Sequence, residues 1–186
     1  IDRNAIARVV GENAVAAAGF VPHGVPDSPE KDFRTCAGDA IDNDPELYAQ
    51  YCLEAQDIIT AAGYDSGASF GELEYLYVAG GSNDAAAQEL CRQLRTVLQM
   101  QVTPRGVTAE ELEELLASGE YTMAGMNLTA LGNDAECFLL DWESESEKNV
   151  VLYENTAYDT LMAVIATAPD GTARLGCLHD AEDLLL

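Results

Sequence analysis

Alternating strand and helix patterns between Leu73 and Leu139 restrict the fold of this sequence more than any other feature. The apolar run LEYLYVAGG at 73–81 is typical of a buried strand that ends at two glycines. A helical pattern with its leucines on one face follows, and a short strand near Val102 comes next. Residues 108–111 then form a capping box in front of another helix. Alternating elements with short connections predict an α/β layered domain.

The remaining elements continue this pattern, and we predict one domain over residues 1–186. A chain of 186 residues that is 48% hydrophobic can bury a full core. Further predicted elements are a helix capped by Asp2, a surface loop over Gly19–Arg34, a helix from Pro45 to Ala62, a helix capped by Ser82, a strand over Met123–Leu128, a helix over Phe138–Trp142, a strand over Val150–Leu152, and helices over Ala157–Ala166 and Ala173–Leu186. The helix from Pro45 is expected to bury a stripe of Leu47, Ala55, Ile58, Ile59 and Ala62.

The charge of the chain excludes one large class of partners. The formal net charge is −24 at pH 7, and Lys31 and Lys148 are the only lysines. Nucleic-acid binding requires clustered cations that displace counterions from phosphates, so we predict no nucleic-acid partner. The ordinary interpretation is a solvated acidic surface. The alternative is an acidic protein-binding module, such as an inhibitor or an immunity protein.

The ends of the sequence and its hydropathy bear on where the protein works. The sequence contains no run of about 18 apolar residues, so we predict no membrane span. The start, IDRNAIARVV, has no basic segment followed by an apolar core, so it does not predict a signal peptide. The abrupt start and the abrupt end at AEDLLL lead us to expect a piece of a longer protein.

Cysteine and histidine spacing predicts no metal site and no cofactor. The five cysteines show no CxxC pair and no zinc spacing with either histidine; they are Cys36, Cys52, Cys91, Cys137 and Cys177. Cys52 and Cys91 lie in helical patterns and are expected to be buried thiols. A bridge between Cys36 and Cys52 stays open. The acids Asp39, Asp42 and Asp44 lack the remaining calcium-loop ligands, so we interpret them as a polar turn.

Sequence patterns do not favour an enzyme. Glu110, Glu111, Glu113 and Glu114 fit a solvated helix face better than a pair of catalytic acids. His23 and His179 have no partner at catalytic or metal spacing. No GxSxG motif surrounds a serine. Trp142 and Tyr158 are interpreted as structural residues; Trp142 is expected in the core, with stacking on a ligand as the alternative.

Five phrases, in order and at similar spacing, resemble one protein family. They are IDRNAI, LEAQDIITAAGYDSGASFGELEYLYVAG, AQELCRQLRTVLQMQV, LEELLASGEYTMA and YENTAYDTLMAVIATAPDGTARLGCLHDAEDLL. Together they resemble the extracellular solute-binding proteins of peptide-type ABC importers (solute-binding family 5). The resemblance implies the second lobe of a type II periplasmic-binding-protein fold, with a mixed sheet flanked by helices. The first lobe and the signal sequence would then lie outside this chain.

The resemblance also implies a function. Such proteins hold a solute between two lobes and deliver it to an ABC permease in the membrane. It therefore implies a monomer that binds a peptide-like or other small solute and needs no cofactor. The expected location is extracytoplasmic, either in the periplasm or on the cell surface as a lipoprotein.

The loop after the strand in GEYTMA is expected to line the ligand cleft. In peptide-binding members this loop reads G-W-x-x-D, and its Asp pairs with the α-ammonium of the peptide. The aligned positions here are Asn127, Leu128 and Leu131, and Leu131 cannot neutralise an ammonium. Candidate ligand contacts are therefore Asn127, Leu128, Thr129, Leu131 and Asn133.

The changed loop leaves three interpretations open. The ligand lacks the ammonium, another acid compensates for the missing Asp, or the cleft wall has been remodelled. Asp134 and Glu136 are the nearby acids that could compensate. Asp134 also keeps the helix-capping position of the family motif, where Ala135 replaces its proline.

Overall fold

Helices and strands alternate along the central part of the chain, as the sequence predicts. The computed structural model describes residues 1–28, 30–169 and 171–186. The helices are α1 (Arg3–Val10), α2 (Phe33–Ala37), α3 (Tyr48–Ala61), α4 (Ser82–Leu98), α5 (Ala109–Ser118), α6 (Glu136–Leu139), α7 (Thr156–Thr167) and α8 (Thr172–Leu185). The strands are β1 (Pro26–Ser28), β2 (Lys31–Asp32), β3 (Glu72–Val78), β4 (Gln101–Val107) and β5 (Met123–Gly125). Short 3₁₀ turns cover Gly67–Phe70 and Leu140–Trp142. The predicted α/β class is confirmed.

The chain forms two compact units, and each takes residues from separate stretches of the sequence. Unit 1 consists of Ile1–Ala16 and Asn43–Asn127. Unit 2 consists of Ala17–Asp42 and Leu128–Leu186. The prediction of one domain over residues 1–186 stays a prediction.

Unit 1 is built on a parallel sheet with the strand order β4-β3-β5. Parallel neighbours need crossover connections, which α4 and α5 supply. In the centre of the sheet Leu76 of β3 pairs with Arg105 and Ala124, and its side chain is 2% exposed. Leu112 and Leu116 of α5 are also buried. The apolar pattern of β3 therefore marks the central strand of the sheet, although Leu76 is the only one of its residues that is buried.

Hydrogen bonds as well as packing hold α1 against α4 in unit 1. Asp2 accepts a hydrogen bond from the Ala5 N–H, so the predicted cap of α1 is confirmed. The side chain of Gln93 on α4 is 2% exposed and bonds both the N–H and the C=O of Asp2. A buried amide satisfied in this way fixes α1 against α4.

Two helix starts in unit 1 differ from their predictions. Helix α3 begins at Tyr48 rather than Pro45, because Asp44 forms a turn in which its Oδ1 accepts from the Glu46 N–H. None of the described residues of α3 is buried, and Ile58 is 69% exposed, so the predicted buried stripe is wrong. Ser82 is the first helical residue of α4 and not its cap; Gly81 holds the cap position without a side-chain bond.

The core of unit 2 is formed by α7, α8, α6 and residues 21–33. Its buried residues are Val21, Val25, Phe33, Ala135, Leu139, Tyr158, Met162, Ile165, Leu178 and Ala181. Fully burying one large aliphatic or aromatic side chain stabilises a fold by about 1.5–3 kcal/mol. Tyr158 is fully buried, and its hydroxyl donates to the Leu139 C=O at 2.6 Å. Tyr158 therefore joins α7 to α6, which confirms its structural interpretation.

The predicted surface loop over Gly19–Arg34 is wrong within its described residues; Pro29 lies outside them. The segment contains the antiparallel pair β1-β2 and the start of α2. Val21 and Phe33 are fully buried, and the Arg34 guanidinium forms a buried ion pair with Glu182 of α8, with Nη2 2.5 Å from Oε2. The proline and glycine content predicted a loop but did not reveal a distant partner on α8.

Residues 150–152 form a turn and not the predicted strand. Leu152 has a φ of 55° and is 70% exposed. The neighbouring Asn149 is 7% exposed, and its amide bonds both the N–H and the C=O of Tyr153. This side chain stabilises a local turn, which competes with an extended strand at these residues.

Candidate functional site

The carboxyl ends of the three parallel strands in unit 1 meet at one edge of the sheet. Val78, Val107 and Gly125 are the last residues of β3, β4 and β5. In open α/β sheets, ligands bind in the crevice outside this edge. The loops that leave it, 79–81 and 126–127, are therefore the part of unit 1 where a solute contact is expected.

A glycine turn and two asparagines organise this edge. Gly80 and Gly81 have φ angles of 113° and 56°, which side-chain-bearing residues rarely adopt, and they turn the chain into α4. Asn83 of α4 donates to the Val78 C=O at 3.0 Å and accepts from Asn127 Nδ2 at 3.3 Å. Asn127 is thereby tied to the end of β3, although it follows β5 in sequence.

Asp84 completes the same turn. Its Oδ1 accepts from the Gly80 N–H at 3.0 Å. Burial, followed by a hydrogen bond with Asp84, raises the pKa of the Tyr77 hydroxyl. Tyr77 therefore remains a neutral phenol at this edge. Besides the engaged Asp84 carboxylate, the edge offers amide, hydroxyl and backbone groups, which suit neutral hydrogen bonds to a solute.

The five residues predicted to contact a ligand are all exposed and lie outside regular secondary structure. Asn127 is the last residue of unit 1, and Leu128, Thr129, Leu131 and Asn133 belong to unit 2. Leu131 is 80% exposed and Leu128 is 49% exposed. The role of these residues in ligand binding stays a prediction. The predicted strand Met123–Leu128 ends at Gly125, which leaves the chain free to form this loop.

A second turn in unit 2 supports the far end of the 128–133 loop. Asn133 Nδ2 is 3.4 Å from the Gly24 C=O. The Gly24 N–H donates to Asp32 Oδ2, and His23 Nδ1 lies 3.4 Å from the same carboxylate. Hydrogen bonds from Thr35, together with those from Gly24 and His23, hold the pKa of Asp32 well below its usual range. Asp32 is therefore an ionised and fully engaged carboxylate.

Arg174 engages the two acids that follow the 128–133 loop. Its Nη2 is 3.2 Å from Asp134 Oδ1 and 2.5 Å from Glu136 Oε2. Burial alone would lower the pKa of Arg174, but the hydrogen bonds to both acids outweigh burial and raise it. Asp134 also accepts from the Glu136 N–H and so begins α6. Both acids that could have replaced the missing ligand carboxylate therefore share one cation, Arg174.

The remaining candidate residues have structural partners. His179 Nε2 lies 2.8 Å from Asp27 Oδ1, and its ring meets Phe33 edge-on, so the pair joins α8 to β1. All five cysteines are free, so the bridge left open between Cys36 and Cys52 is not formed. Cys91 is fully buried, as predicted, whereas Cys52 is only partly buried, so the prediction of a buried thiol is wrong for Cys52. No group of three or more potential metal-binding side chains occurs in the described residues.

The acids of α5 behave as the sequence indicates. Glu110, Glu113 and Glu114 are exposed, while Leu112 on the opposite face is buried. Glu111 N–H donates to Thr108 Oγ1, which confirms the helix cap. Across residues 1–28, 30–169 and 171–186, no helix has the length and apolar character needed to cross a membrane.

Sequence reasoning missed two residues, Asn83 in unit 1 and Arg174 in unit 2. Asn83 lies in the first turn of α4, and the only sequence feature that marks this position is the pair of glycines before it, which predicts a turn. The pairing of Arg174 with acids 38 and 40 residues earlier has no local signature. The excess of acids over cations in the sequence is the one hint that Arg174 would have carboxylate partners.

Comparisons with known proteins give the fold a context. No family model matches the chain. The probable deoxycholate-binding periplasmic protein YgiS of Escherichia coli (strain K12) is 27% identical over 131 residues, which are 70% of this chain and 24% of that protein. The chain thus matches about a quarter of the length of this curated relative.

Solved structures match over the whole chain. The peptide-binding pheromone receptor PrgZ is 25% identical with a TM-score of 0.75, and the match covers 100% of this chain and 35% of the receptor. The peptide-binding protein of a peptide ABC transporter is 21% identical with a TM-score of 0.82, and the match covers 100% of this chain and 81% of that one. The predicted resemblance to peptide-binding proteins of ABC transporters and the predicted lobe fold are confirmed.

Proposed function

We propose that this chain is the ligand-binding lobe of an extracytoplasmic protein that captures a peptide-like solute and delivers it to an ABC permease. The observation that carries the proposal is the edge of the parallel sheet, where Asn83 hydrogen-bonds Asn127, the residue directly before the exposed 128–133 loop. In open α/β sheets ligands bind outside the carboxyl ends of the strands, which is the edge where these two asparagines lie. The similarity of the whole chain to solved peptide-binding proteins supports the same function.

The contacts to the solute are proposed from neutral groups. Asn127, Thr129 and Asn133 supply amide and hydroxyl groups, while Leu128 and Leu131 supply apolar surface. A few placed polar groups among apolar side chains are the usual composition of a small-molecule site. The protein would catalyse no reaction and use no cofactor or metal, because binding and release complete its task.

The location and assembly follow from the same proposal. A protein that hands a solute to a membrane permease works outside the cytoplasm, in the periplasm or as a lipoprotein on the cell surface. Strong negative charge favours a monomer, since like-charged surfaces repel. Because the curated relative YgiS is named for deoxycholate, amphipathic organic acids belong beside peptides among the solutes to be tested.

Native mass spectrometry of the natural-length protein, purified gently from its own cells, tests the proposal. A discrete added mass that is released on denaturation is expected, and its fragmentation identifies the solute. Titration with free peptides, N-acetylated peptides and deoxycholate then ranks the candidate classes. An apo mass together with no binding in these titrations would contradict solute capture.

The acidic protein-binding module remains the second candidate. A net charge of −24 favours it, because a surface of one sign attracts a basic protein partner. The two functions differ in salt dependence: contacts through a charged surface weaken steeply with ionic strength, whereas a neutral solute site does not. Loss of all binding between low and high salt would favour the module.

A further inference from the structure

The 128–133 loop of unit 2, LTALGN, carries no titratable side chain. Any charge that it can offer a solute must therefore come from its neighbours. Asp134 and Glu136 are the first acids after the loop. Asp32 is linked to the loop through Gly24, which accepts a hydrogen bond from Asn133 and donates one to Asp32. The state of these three carboxylates decides whether a cationic solute group finds a partner here.

Each of the three carboxylates is already engaged. Asp32 accepts from the Gly24 and Thr35 amides and contacts His23. Asp134 and Glu136 share the Arg174 guanidinium, whose side chain is only 11% exposed. An arginine that is largely withdrawn from water makes strong charge-assisted bonds and does not exchange partners freely.

The apolar character of the loop has the same consequence. Leu131 is 80% exposed in a chain that otherwise presents a strongly acidic surface. An ammonium group held against such a side chain loses hydration without gaining an anion, which is unfavourable. An apolar or blocked group loses little and removes the leucine surface from water.

We propose that Arg174 makes the 128–133 loop selective for a solute end without an ammonium group, because its guanidinium engages both Asp134 and Glu136 and offsets part of their negative charge. The solute class is an amino-blocked peptide or another solute with an apolar, uncharged end. This inference rests on the proposed function, since the loop must face the solute. Arg174 is a positioning residue in this scheme, because it acts through the two acids and does not itself touch the solute.

Affinity-selection mass spectrometry of the natural-length protein tests the inference. The probes are an equimolar tripeptide library and the same library after N-acetylation. The wild-type protein is expected to retain the acetylated library about fivefold better than the free-amino library. Arg174→Gln frees both acids and should reduce or reverse this ratio. The triple variant Arg174→Gln, Asp134→Asn, Glu136→Gln removes the freed charges and should restore it.

Arg105→Gln is the matched control, because Arg105 also bridges two carboxylates, those of Glu74 and Glu111, but lies in unit 1 on an exposed surface. It should leave the wild-type ratio unchanged. The wild-type ratio is informative even if the Arg174 variants do not fold. Better retention of the free-amino library by the wild-type protein would overturn the inference while supporting peptide capture. Retention of neither library would contradict peptide capture and the inference with it.

Discussion

A Cβ atom placed on Gly19 would lie 1.5 Å from Nη1 of Arg34. The guanidinium cannot retreat, because it is 2.5 Å from Glu182 and both side chains are 1% exposed. Glu182 also accepts from the Val21 N–H at 2.7 Å. The absence of a side chain at residue 19 is therefore part of how unit 2 accommodates a buried ion pair.

Gly19→Ala should destabilise the protein by about 3 kcal/mol or more, because the new methyl group displaces a buried charge from its partner. Gly176→Ala is the control: residue 176 lies within α8, a Cβ there would meet nothing within 4 Å, and alanine is the better helix former. That control should stabilise by about 0.5–1 kcal/mol. Urea denaturation followed by circular dichroism measures both, and equal stabilities for the two variants would contradict the assigned role of Gly19.

Glu182→Gln should cost about 3–5 kcal/mol of unfolding free energy, because it leaves the Arg34 guanidinium buried without a counter-charge. Glu74→Gln is the matched change at an exposed ion pair with Arg105, where the expected loss is at most about 1 kcal/mol. Thermal and urea unfolding report the difference. Comparable losses in the two variants would show that water reaches the Arg34–Glu182 pair in solution.

The acid limb of stability should depend on Glu89. Its hydrogen bond with Arg92, followed by one from Gln93, lowers the pKa of Glu89 from 4.5 to about 2. A folded-state pKa below the unfolded value gives stability that is present above pH 4.5 and is lost as the pH falls toward 2.

Urea midpoints measured from pH 7 down to pH 2 check this dependence on Glu89. Glu89→Gln should flatten the curve below pH 4.5, the ordinary pKa of the group. Glu114→Gln removes one charge from the exposed face of α5 and should preserve the wild-type shape. If the urea midpoints of Glu89→Gln and of the wild type fell in parallel over the whole pH range, the hydrogen bond from Arg92 to Glu89 would not contribute to folding stability.

Leu131→Asp should raise the affinity for free-amino peptides about tenfold, since it places an unpaired carboxylate on the 128–133 loop. Leu131→Asn has nearly the same shape without the charge and should give no gain. Leu152→Asp adds the same charge at an exposed residue in the turn that follows Asn149. Calorimetric titration with a free-amino peptide panel compares the three variants, and equal gains for Leu131→Asp and Leu152→Asp would place the binding loop elsewhere.

Asn83→Ala should weaken solute binding several-fold, because Asn127 loses the side chain that ties it to the end of β3. The backbone of α4 begins one residue earlier, so its helix content should persist. Asn13→Ala, at an exposed residue of unit 1, is the control and should bind as the wild type does. The same calorimetric titration measures both, and unchanged binding in Asn83→Ala would remove the sheet edge from the site.

Local chemistry was readable in the sequence, whereas distant pairing was not. Asp2 and Thr108 cap their helices as predicted, because a cap needs only the next three amides. The β3 strand was found from its apolar run. Gly19–Arg34 was misread as a surface loop because its proline and glycine content outweighed Arg34, whose partner lies 148 residues away. The apolar stripe of α3 followed the helical period, yet the period alone does not reveal whether anything covers it.

The candidate site also has a part that the sequence predicted and a part that it did not. The exposed 128–133 loop was identified from its alignment and polar residues, but Asn83 and Arg174 act across the fold and left no local pattern. The sequence left open whether Asp134 or Glu136 compensates for the changed loop position. The pairing of both acids with Arg174 argues against compensation.

The buried pair of Arg34 and Glu182 also orders events during synthesis. A ribosome adds about 5–20 residues per second, so Arg34 is made many seconds before its partner, which lies 148 positions later. Until α8 is complete, closing the hydrophobic core of unit 2 would trap an unpaired cation. Val21 and Phe33 must therefore stay unpacked until α8 has been made. A message truncated even a few codons before residue 182 should yield a product that proteases recognise as unfinished.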